Sequence, residues 1–418
     1  MPVALRARIV FPVDRPPIEN GVVTFDGDRI LAVGSTDTGI KPVDLGNVAL
    51  LPGLVNAHTH LEFSHLRQPL GQPGIGIVDW IRLIIAERAR GDKERTNPIT
   101  LGQQETLAAG VTMVGDIVTN PAATSAASID TTCFHEVIGF SRARAESSLN
   151  SLVERLQAAA AVSNTASSFA PVQGISPHAP YTVSPLLLRP LVTLAHRNNM
   201  PVAMHLAESR EELQFLRNGD GPFKDLLEER SMWDAEAVPP GSTPHDYLRT
   251  LADAPWALVI HGNYLDEDEL DFLGTHRDRM SLVYCPRTHA YFDHSPYPLA
   301  TARKLGVRVA LGTDSRASNP DLDLFAEMRH VSRAHQGIDP HETLRMGTLA
   351  GAEALGREAA VGSITPGKLA NLVALPLGDA PHGSPDEMLA ALLATNRAPT
   401  SVWLHGRAIG HDDPSPHL

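Results

Sequence analysis

The sequence predicts an α/β protein, a (β/α)₈ TIM barrel with a small β-sandwich formed by the N- and C-terminal segments. Through the middle of the chain, short apolar runs alternate with helical patterns, and the eight runs match the number of strands in a closed parallel barrel. Both ends of the chain instead hold only short apolar runs separated by Gly, Asp and Pro turns. An open sheet of six strands is the alternative architecture.

The two chain ends are assigned to one small domain. The strand-like runs at the start are ALRARIVF, GVVTFDGDRILAVG and NVALLPG, and those at the end are NLVALPL and SVWLHGRAI. We expect residues 1–53 and 366–418 to pair as the β-sandwich and residues 54–365 to form the barrel.

The barrel strands are predicted from the alternating middle region. In chain order the eight runs are LLPGLVNAHTH, GVTMVGDI, CFHEVIGF, VQGISPHA, PVAMHLAES, ALVIHGNYL, MSLVYCPRT and RVALGTDS. The stretch 210–256, between the fifth and sixth runs, is too long for an ordinary connection. We expect it to be either a lid over the barrel mouth or a surface packing element.

Composition restricts the classes of function. The chain is 43% hydrophobic and 20% charged, as is ordinary for a globular protein, and its formal net charge of −13 argues against a nucleic-acid partner. It has two cysteines, and no apolar run approaches the ~20 residues that a membrane span needs. We therefore expect a cytoplasmic protein without a membrane partner.

Polar residues stand at the C-terminal ends of most of the eight runs. In a parallel barrel these ends all face one mouth, where active sites form, so residues far apart in the sequence meet there. They are His58 and His60 in the first run, His178 in the fourth, His205 in the fifth, His261 in the sixth and Asp314 in the eighth.

Four of these residues predict a metal site. His58 and His60 stand two apart, so both imidazoles point to one side of a strand. With His205 and Asp314 they supply three nitrogens and one oxygen, a set that suits a divalent cation with one position open to water. Each residue alone is more simply a buried histidine or a turn aspartate, but their joint position at strand ends favours the cation.

The distribution of lysine indicates one metal ion rather than two. A two-metal site in such a barrel commonly needs a bridging ligand, often a carboxylated lysine on a middle strand. The sequence has no lysine between Lys93 and Lys224, so the third and fourth strands cannot supply one.

The strand-end motifs resemble those of the amidohydrolase superfamily, in its mononuclear deaminase and chlorohydrolase branch. LLPGLVNAHTH, MHLAES, VIHG and LGTDSRAS resemble its first, fifth, sixth and eighth strand motifs, and GSITPGKLANLVAL resembles its return into the sandwich. The resemblance implies one divalent metal ion, zinc with iron as the alternative, held by His58, His60, His205 and Asp314.

Within this branch, the chain most resembles deaminases of adenine nucleosides. SPHAPYTVS and the spacing from His205 to Glu208 resemble S-adenosylhomocysteine and methylthioadenosine deaminases, from whose seventh-strand motif CPRTHAYF departs. NAHTHLEFSH, HLAESREELQFL and the long insertion are closer to aminodeoxyfutalosine deaminases. The resemblance implies hydrolytic loss of the 6-amino group of an adenine nucleoside. Glu208 would protonate the ring, Asp314 would take a proton from water, and His261 would orient the attacking oxygen.

The same resemblance implies contacts with the substrate at Trp80, His178, Ser318, Arg142 and Arg144. Of these, Arg142 and Arg144 follow the third strand and could meet a carboxylate. Glu87, two helical turns beyond the tryptophan, is predicted to be a solvated charge.

Other functions stay open. An S-adenosylhomocysteine or methylthioadenosine deaminase, or a triazine or pyrimidine aminohydrolase or chlorohydrolase, would use the same pocket. A catalytically dead barrel that acts as a binding protein is a remoter alternative, because such chains typically lose metal ligands. The predicted partner is a nucleoside-like small molecule, and a homodimer is a further expectation because dimers are common in the family.

Overall fold

The structure is a computed structural model that describes residues 1–35, 39–90, 97–119, 128–163, 171–378 and 383–409. The predicted segment 366–418 is therefore seen as far as residue 409, apart from 379–382, and its last residues lie outside the described part.

The N-terminal residues form short strands, because β-branched and aromatic side chains alternate with turn-forming residues. These strands are β1 (Val3–Arg6), β2 (Ile9–Val10), β3 (Ile18–Glu19), β4 (Val22–Asp26), β5 (Arg29–Gly34), β6 (Val43–Asp44) and β7 (Val48–Pro52).

Eight parallel strands follow, and each coincides with one of the predicted runs. They are β8 (Leu54–Thr59), β9 (Val111–Val118), β10 (Asp130–Val137), β11 (Val172–Pro177), β12 (Val202–Leu206), β13 (Ala257–His261), β14 (Met280–Tyr284) and β15 (Val309–Leu311). Each strand pairs with the next in chain order. The ring closes where the N–H groups of Thr313 and Asp314 both donate to the carbonyl of His58 at 3.1 Å. The predicted barrel is confirmed, and the open six-stranded sheet is wrong.

Helices connect the barrel strands. They are α1 (Ile77–Arg90), α2 (Pro98–Ala108), α3 (Arg142–Ser163), α4 (Pro185–Arg197), α5 (Arg210–Asn218), α6 (Pro222–Glu229), α7 (Pro244–Leu251), α8 (Glu267–Thr275), α9 (Pro286–Tyr291), α10 (Leu299–Lys304), α11 (Leu324–Ala334), α12 (Pro340–Met346), α13 (Leu349–Ala354) and α14 (Pro385–Ala394). The insertion before β13 folds as α5, α6 and α7. None of the described helices is both long and apolar enough to cross a membrane.

The two chain ends join in the predicted sandwich. The last strands are β16 (Leu372–Pro376), β17 (Ser401–Leu404) and β18 (Arg407–Ile409). One sheet has the order β18-β17-β16-β7-β2-β3 and the other β5-β4-β1-β6. Because β16 pairs antiparallel with β7, the end of the chain is attached to its start. Apolar side chains of both sheets, such as Phe25 and Leu372, share one buried cluster. The division of the domains at residues 53 and 366 stays a prediction.

The barrel interior holds apolar side chains directly before the polar strand ends. One buried cluster includes Val55 of β8, Phe134 of β10 and Ile260 of β13. Because the chain continues from these residues towards the mouth, the next polar side chains on each strand reach one common space.

Candidate active site and metal centre

Three predicted histidines converge at the barrel mouth. His58 and His60, at the end of β8, and His205, on β12, place one ligand nitrogen each within 4.8 Å of the other two, and all three residues are buried. The pairing of β8 with β9 shifts register between Asn56 and Thr59. Such irregularities redirect side chains at barrel rims, so the end of β8 is not a regular alternating strand, yet both imidazoles reach the same point.

Asp314 completes the cluster from the loop after β15. Its Oδ1 lies 3.6 Å from Nε2 of His58 and 3.7 Å from Nε2 of His60. The backbone there is left-handed, with φ of +56°, and the hydroxyl of Thr59 donates to the Asp314 carbonyl at 2.8 Å. Ser318 donates its hydroxyl to Oδ2 at 2.9 Å. One carboxylate oxygen is therefore held by Ser318 while the other faces the histidines.

The chemistry of these residues fits one divalent cation. Nδ1 of His205 lies 2.9 Å from the carbonyl of His178. Because a carbonyl only accepts, Nδ1 carries the proton and Nε2 keeps a lone pair for a metal. Both ring nitrogens of His58 and Nδ1 of His60 are buried without a hydrogen-bond partner among the described residues. Buried imidazoles without partners beside a carboxylate are the ligand types of a catalytic zinc site.

Electrostatics favours the metal-binding protonation states. Burial, with a contribution from His58, lowers the pKa of His60 and of His205 well below the ordinary value. Burial alone would raise the pKa of Asp314, but the neighbouring histidines hold it well below its usual range. At neutral pH the imidazoles are therefore neutral and the carboxylate is ionised, as metal ligands must be.

Glu208 and His261 lie beside this cluster. Their side chains approach to 3.4 Å between Oε1 and Nε2, and both are buried. Burial, together with the negative charges of Asp314 and Glu212, raises the pKa of Glu208 well above its ordinary value. The site thus contains one carboxyl that keeps its proton and one that has lost it, an arrangement that lets two carboxyls act as acid and base.

Backbone contacts fix the orientation of Glu208. Glu212, in the first turn of α5, accepts from the backbone N–H groups of Ala207 at 2.7 Å and of Glu208 at 3.0 Å. Ala207 is left-handed, with φ of +52°. Asn263 donates its side-chain amide to the Glu208 carbonyl at 2.9 Å. A buried carboxylate and a buried amide therefore hold the turn that carries the proton donor.

The cluster opens into a cavity of about 250 Å³. Its polar lining includes His60, His178, His205, Glu208, His261 and Asp314. One wall is apolar and comes from α1, through Ile77, Trp80, Ile81 and Ile84. Another comes from the insertion, through Phe223, Leu226, Leu227 and Met232. The insertion therefore forms part of the cavity wall, as the lid alternative requires, and is not only a surface packing element.

The predicted substrate contacts fall into two groups. Trp80 and His178 line the cavity, held by hydrogen bonds from Nε1 of Trp80 to a backbone carbonyl at 3.0 Å and between Nδ1 of His178 and the Thr182 hydroxyl at 2.7 Å. Ser318 is fully buried behind Asp314, close to Thr288, and in the described structure it does not line the cavity. Its contact is with the predicted metal ligand rather than with substrate.

Arg142 and Arg144 do not join the site in the described structure, which corrects their prediction as substrate contacts. Both are exposed, because α3 begins at Arg142 and its first turn faces the insertion. The backbone N–H of Arg142 donates to Asp234 at 3.0 Å, and its guanidinium lies 3.5 Å from Glu236.

Glu87 also differs from the prediction. It is buried rather than solvated, with its carboxylate 3.0 Å from His65 Nε2 and 3.0 Å from Arg90. Two residues that the sequence reading did not select, Arg88 of α1 and Glu136 of β10, line the cavity instead. Glu136 stands at a strand end, so the rule that found the histidines would also have found it.

Comparisons with known proteins agree with this architecture. The sequence profile of the amidohydrolase family matches residues 49–409. The 5-methylthioadenosine/S-adenosylhomocysteine deaminase of Pyrococcus furiosus is 29% identical over 412 residues, covering 95% of this chain and 87% of the relative.

Solved structures share the fold. An adenosine deaminase from Xanthomonas campestris with bound zinc is 25% identical and superposes with a TM-score of 0.77, over 97% of this chain and 92% of that one. Helicobacter pylori aminofutalosine deaminase, at 21% identity and a TM-score of 0.84 over 97% and 100% of the two chains, supports the fold alone. Because the family match runs from β7, just before the histidine pair, to the end of β18, this chain belongs to the amidohydrolase family.

Proposed function

We propose that the protein is a metal-dependent aminohydrolase that replaces the 6-amino group of an adenine nucleoside derivative, aminodeoxyfutalosine-like, by oxygen and releases ammonia. The observation that carries the proposal is that a proton-bearing Glu208 and the His58, His60, His205 and Asp314 cluster occur together in one buried site. Hydrolysis at a ring carbon needs a strong nucleophile on one side and a proton donor for the ring on the other.

The four clustered residues would hold one divalent cation, zinc by preference and iron(II) as the alternative. When bound, such a cation lowers the pKa of water from near 16 to about 7, which makes hydroxide available at neutral pH. Asp314 is ionised and faces the same space, so it can accept a proton there. Its Oδ2 stays bonded to Ser318, which leaves Oδ1 for that role.

Glu208 and His261 would act on the substrate. Because Glu208 keeps its proton, it can donate to the ring nitrogen next to the carbon that bears the amine, and this makes that carbon electrophilic. His261, 3.4 Å away, can hydrogen-bond the oxygen that adds there. Protons held on Glu208 and Asp314 then pass to the departing amine, so that water and the amine are converted to a ring carbonyl and ammonia.

The cavity walls suit a planar base. The apolar faces of α1 and the insertion meet over the polar cluster, with Trp80 and Phe223 among their side chains. Aromatic and aliphatic walls around a few convergent polar groups are typical of sites for small heterocycles. The Pyrococcus furiosus relative is named for 5-methylthioadenosine and S-adenosylhomocysteine, which supports an adenine nucleoside here.

An ammonia-release screen tests the proposal. Metal-loaded protein is assayed with adenosine, 5-methylthioadenosine and S-adenosylhomocysteine. Glu208→Gln, which keeps the shape but cannot serve as the acid, should reduce kcat by about 100-fold or more. Glu211→Gln, the neighbouring change outside the cavity, should have little effect. No ammonia from any of these nucleosides, or chloride release from a chlorinated triazine in their place, would contradict the proposal.

A cytoplasmic location and a homodimer stay predictions. Cell fractionation tests the first and analytical ultracentrifugation the second.

A further inference from the structure

Glu136 is a buried carboxylate inside the cavity that the proposed mechanism does not use. It stands at the C-terminal end of β10, lines the cavity and is 8% exposed. Its Oε1 has no hydrogen-bond partner among the described residues. A buried acceptor without a donor is costly, which indicates that a donor from a ligand completes this contact.

Arg88 lines the same part of the cavity and is already held in place. Its Nη2 donates to Oε1 of Glu62 at 2.6 Å, and its guanidinium lies 5.4 Å from the ring centroid of Phe63. Glu62 is fixed in turn by the hydroxyl of Thr119 at 2.8 Å. Nη1 of Arg88 lies 3.8 Å from Oε2 of Glu136, which is too long for a hydrogen bond.

The charges of this group decide what kind of ligand fits. One guanidinium faces the two carboxylates of Glu62 and Glu136, so an anionic tail would meet repulsion here rather than an uncommitted arginine. A hydroxyl group both donates and accepts, and can therefore bond Glu136 and Arg88 together. Two adjacent hydroxyls can satisfy Oε1 and also span the 3.8 Å gap.

We propose that Glu136 and Arg88 determine specificity by recognising a pair of adjacent hydroxyl groups on the substrate, so that the substrate class is a ribonucleoside rather than a deoxynucleoside. This inference rests on the proposed deaminase function and adds the sugar contact to it. Glu136 accepts from the hydroxyls, and Nη1 of Arg88 donates to them.

Paired substrates test this assignment. The metal-loaded protein and Glu136→Gln are compared on adenosine and 5-methylthioadenosine, each with its 2′-deoxy and 3′-deoxy form. A lost hydrogen bond to a charged group corresponds to about 10- to 100-fold, so the unmodified protein should lose that factor in kcat/KM with a deoxy substrate. In Glu136→Gln the penalty for a missing hydroxyl should shrink to about threefold or less, chiefly through KM.

Two further variants separate recognition from general damage. Arg88→Met should also reduce the deoxy penalty. Glu269→Gln changes a buried carboxylate outside the cavity in the same way and should keep the full penalty. Circular dichroism and zinc content show whether each variant is folded and loaded.

The outcomes are distinct. Equal turnover of ribo and deoxy substrates by the unmodified protein, or an undiminished deoxy penalty in folded Glu136→Gln and Arg88→Met, would overturn the sugar assignment. Failure of the unmodified protein to release ammonia from any adenine nucleoside would overturn the proposed function itself.

Discussion

Glu212 offers a quantitative test of how the turn after β12 is held. Its two carboxylate oxygens accept from the N–H groups of Ala207 at 2.7 Å and of Glu208 at 3.0 Å, and the side chain is fully buried. Glu212→Ala would leave both N–H groups buried without acceptors. Each such group costs about 1–3 kcal/mol, so the free energy of unfolding should fall by about 2–6 kcal/mol. Glu212→Gln keeps one acceptor oxygen and should lose about half of that.

The same change should reduce catalysis beyond its effect on stability. Because Glu212 holds the backbone of the proposed proton donor, its loss displaces Glu208 relative to the metal cluster. A displacement of about 1 Å can cost 100-fold, so we expect kcat to fall by about 10- to 100-fold in folded Glu212→Gln.

Urea denaturation of metal-saturated protein measures the stability change, and ammonia release under native conditions measures kcat. Glu211→Gln, one position away on α5 and outside the cavity, is the matched control. The reasoning is refuted if Glu212→Ala unfolds within about 0.5 kcal/mol of the unmodified protein and retains its kcat.

Three further predictions follow from single contacts. Ser318→Ala removes the hydrogen bond to Asp314, so kcat for ammonia release should fall by about tenfold or more while the melting temperature changes little; an unchanged kcat would contradict it. Tyr297→Phe removes the donor to the His261 carbonyl, whose φ is +67°, and should cost about 1 kcal/mol in urea denaturation; equal stability would argue against this contact. Burial raises the pKa of Glu269 to about 7 from 4.5. Its stabilising contribution is therefore complete below the unfolded pKa and is lost as pH rises through about 7. Glu269→Gln should flatten the fall in unfolding free energy between about pH 5 and about pH 8, and an identical profile would refute this.

The strand ends were the most predictable part of the site. His58, His205, His261 and Asp314 lie far apart in the sequence, but each follows an apolar run, and parallel barrel strands all end at one mouth. Fold topology thus converts a one-dimensional position into a three-dimensional one. This required no knowledge of side-chain packing.

Residues on helices were harder to place. Arg142 and Arg144 follow a strand end closely, but α3 begins there and its first turn directs them to the insertion. Arg88 lies on α1 and reaches the cavity because of the helix orientation and the length of its side chain. Ser318 lies four residues after the predicted metal ligand, and a local turn places it behind that ligand. Sequence spacing does not specify helix tilt or loop direction.

Equilibrium dialysis against zinc, followed by elemental analysis, is the most direct test of the central claim that His58, His60, His205 and Asp314 hold one cation. We predict one tightly bound zinc per chain in the unmodified protein, its loss in His58→Ala and His205→Ala, and full retention in His196→Ala, an exposed histidine on α4. Unmodified protein that retains no zinc, or His58→Ala and His205→Ala variants that retain it fully, would contradict the account.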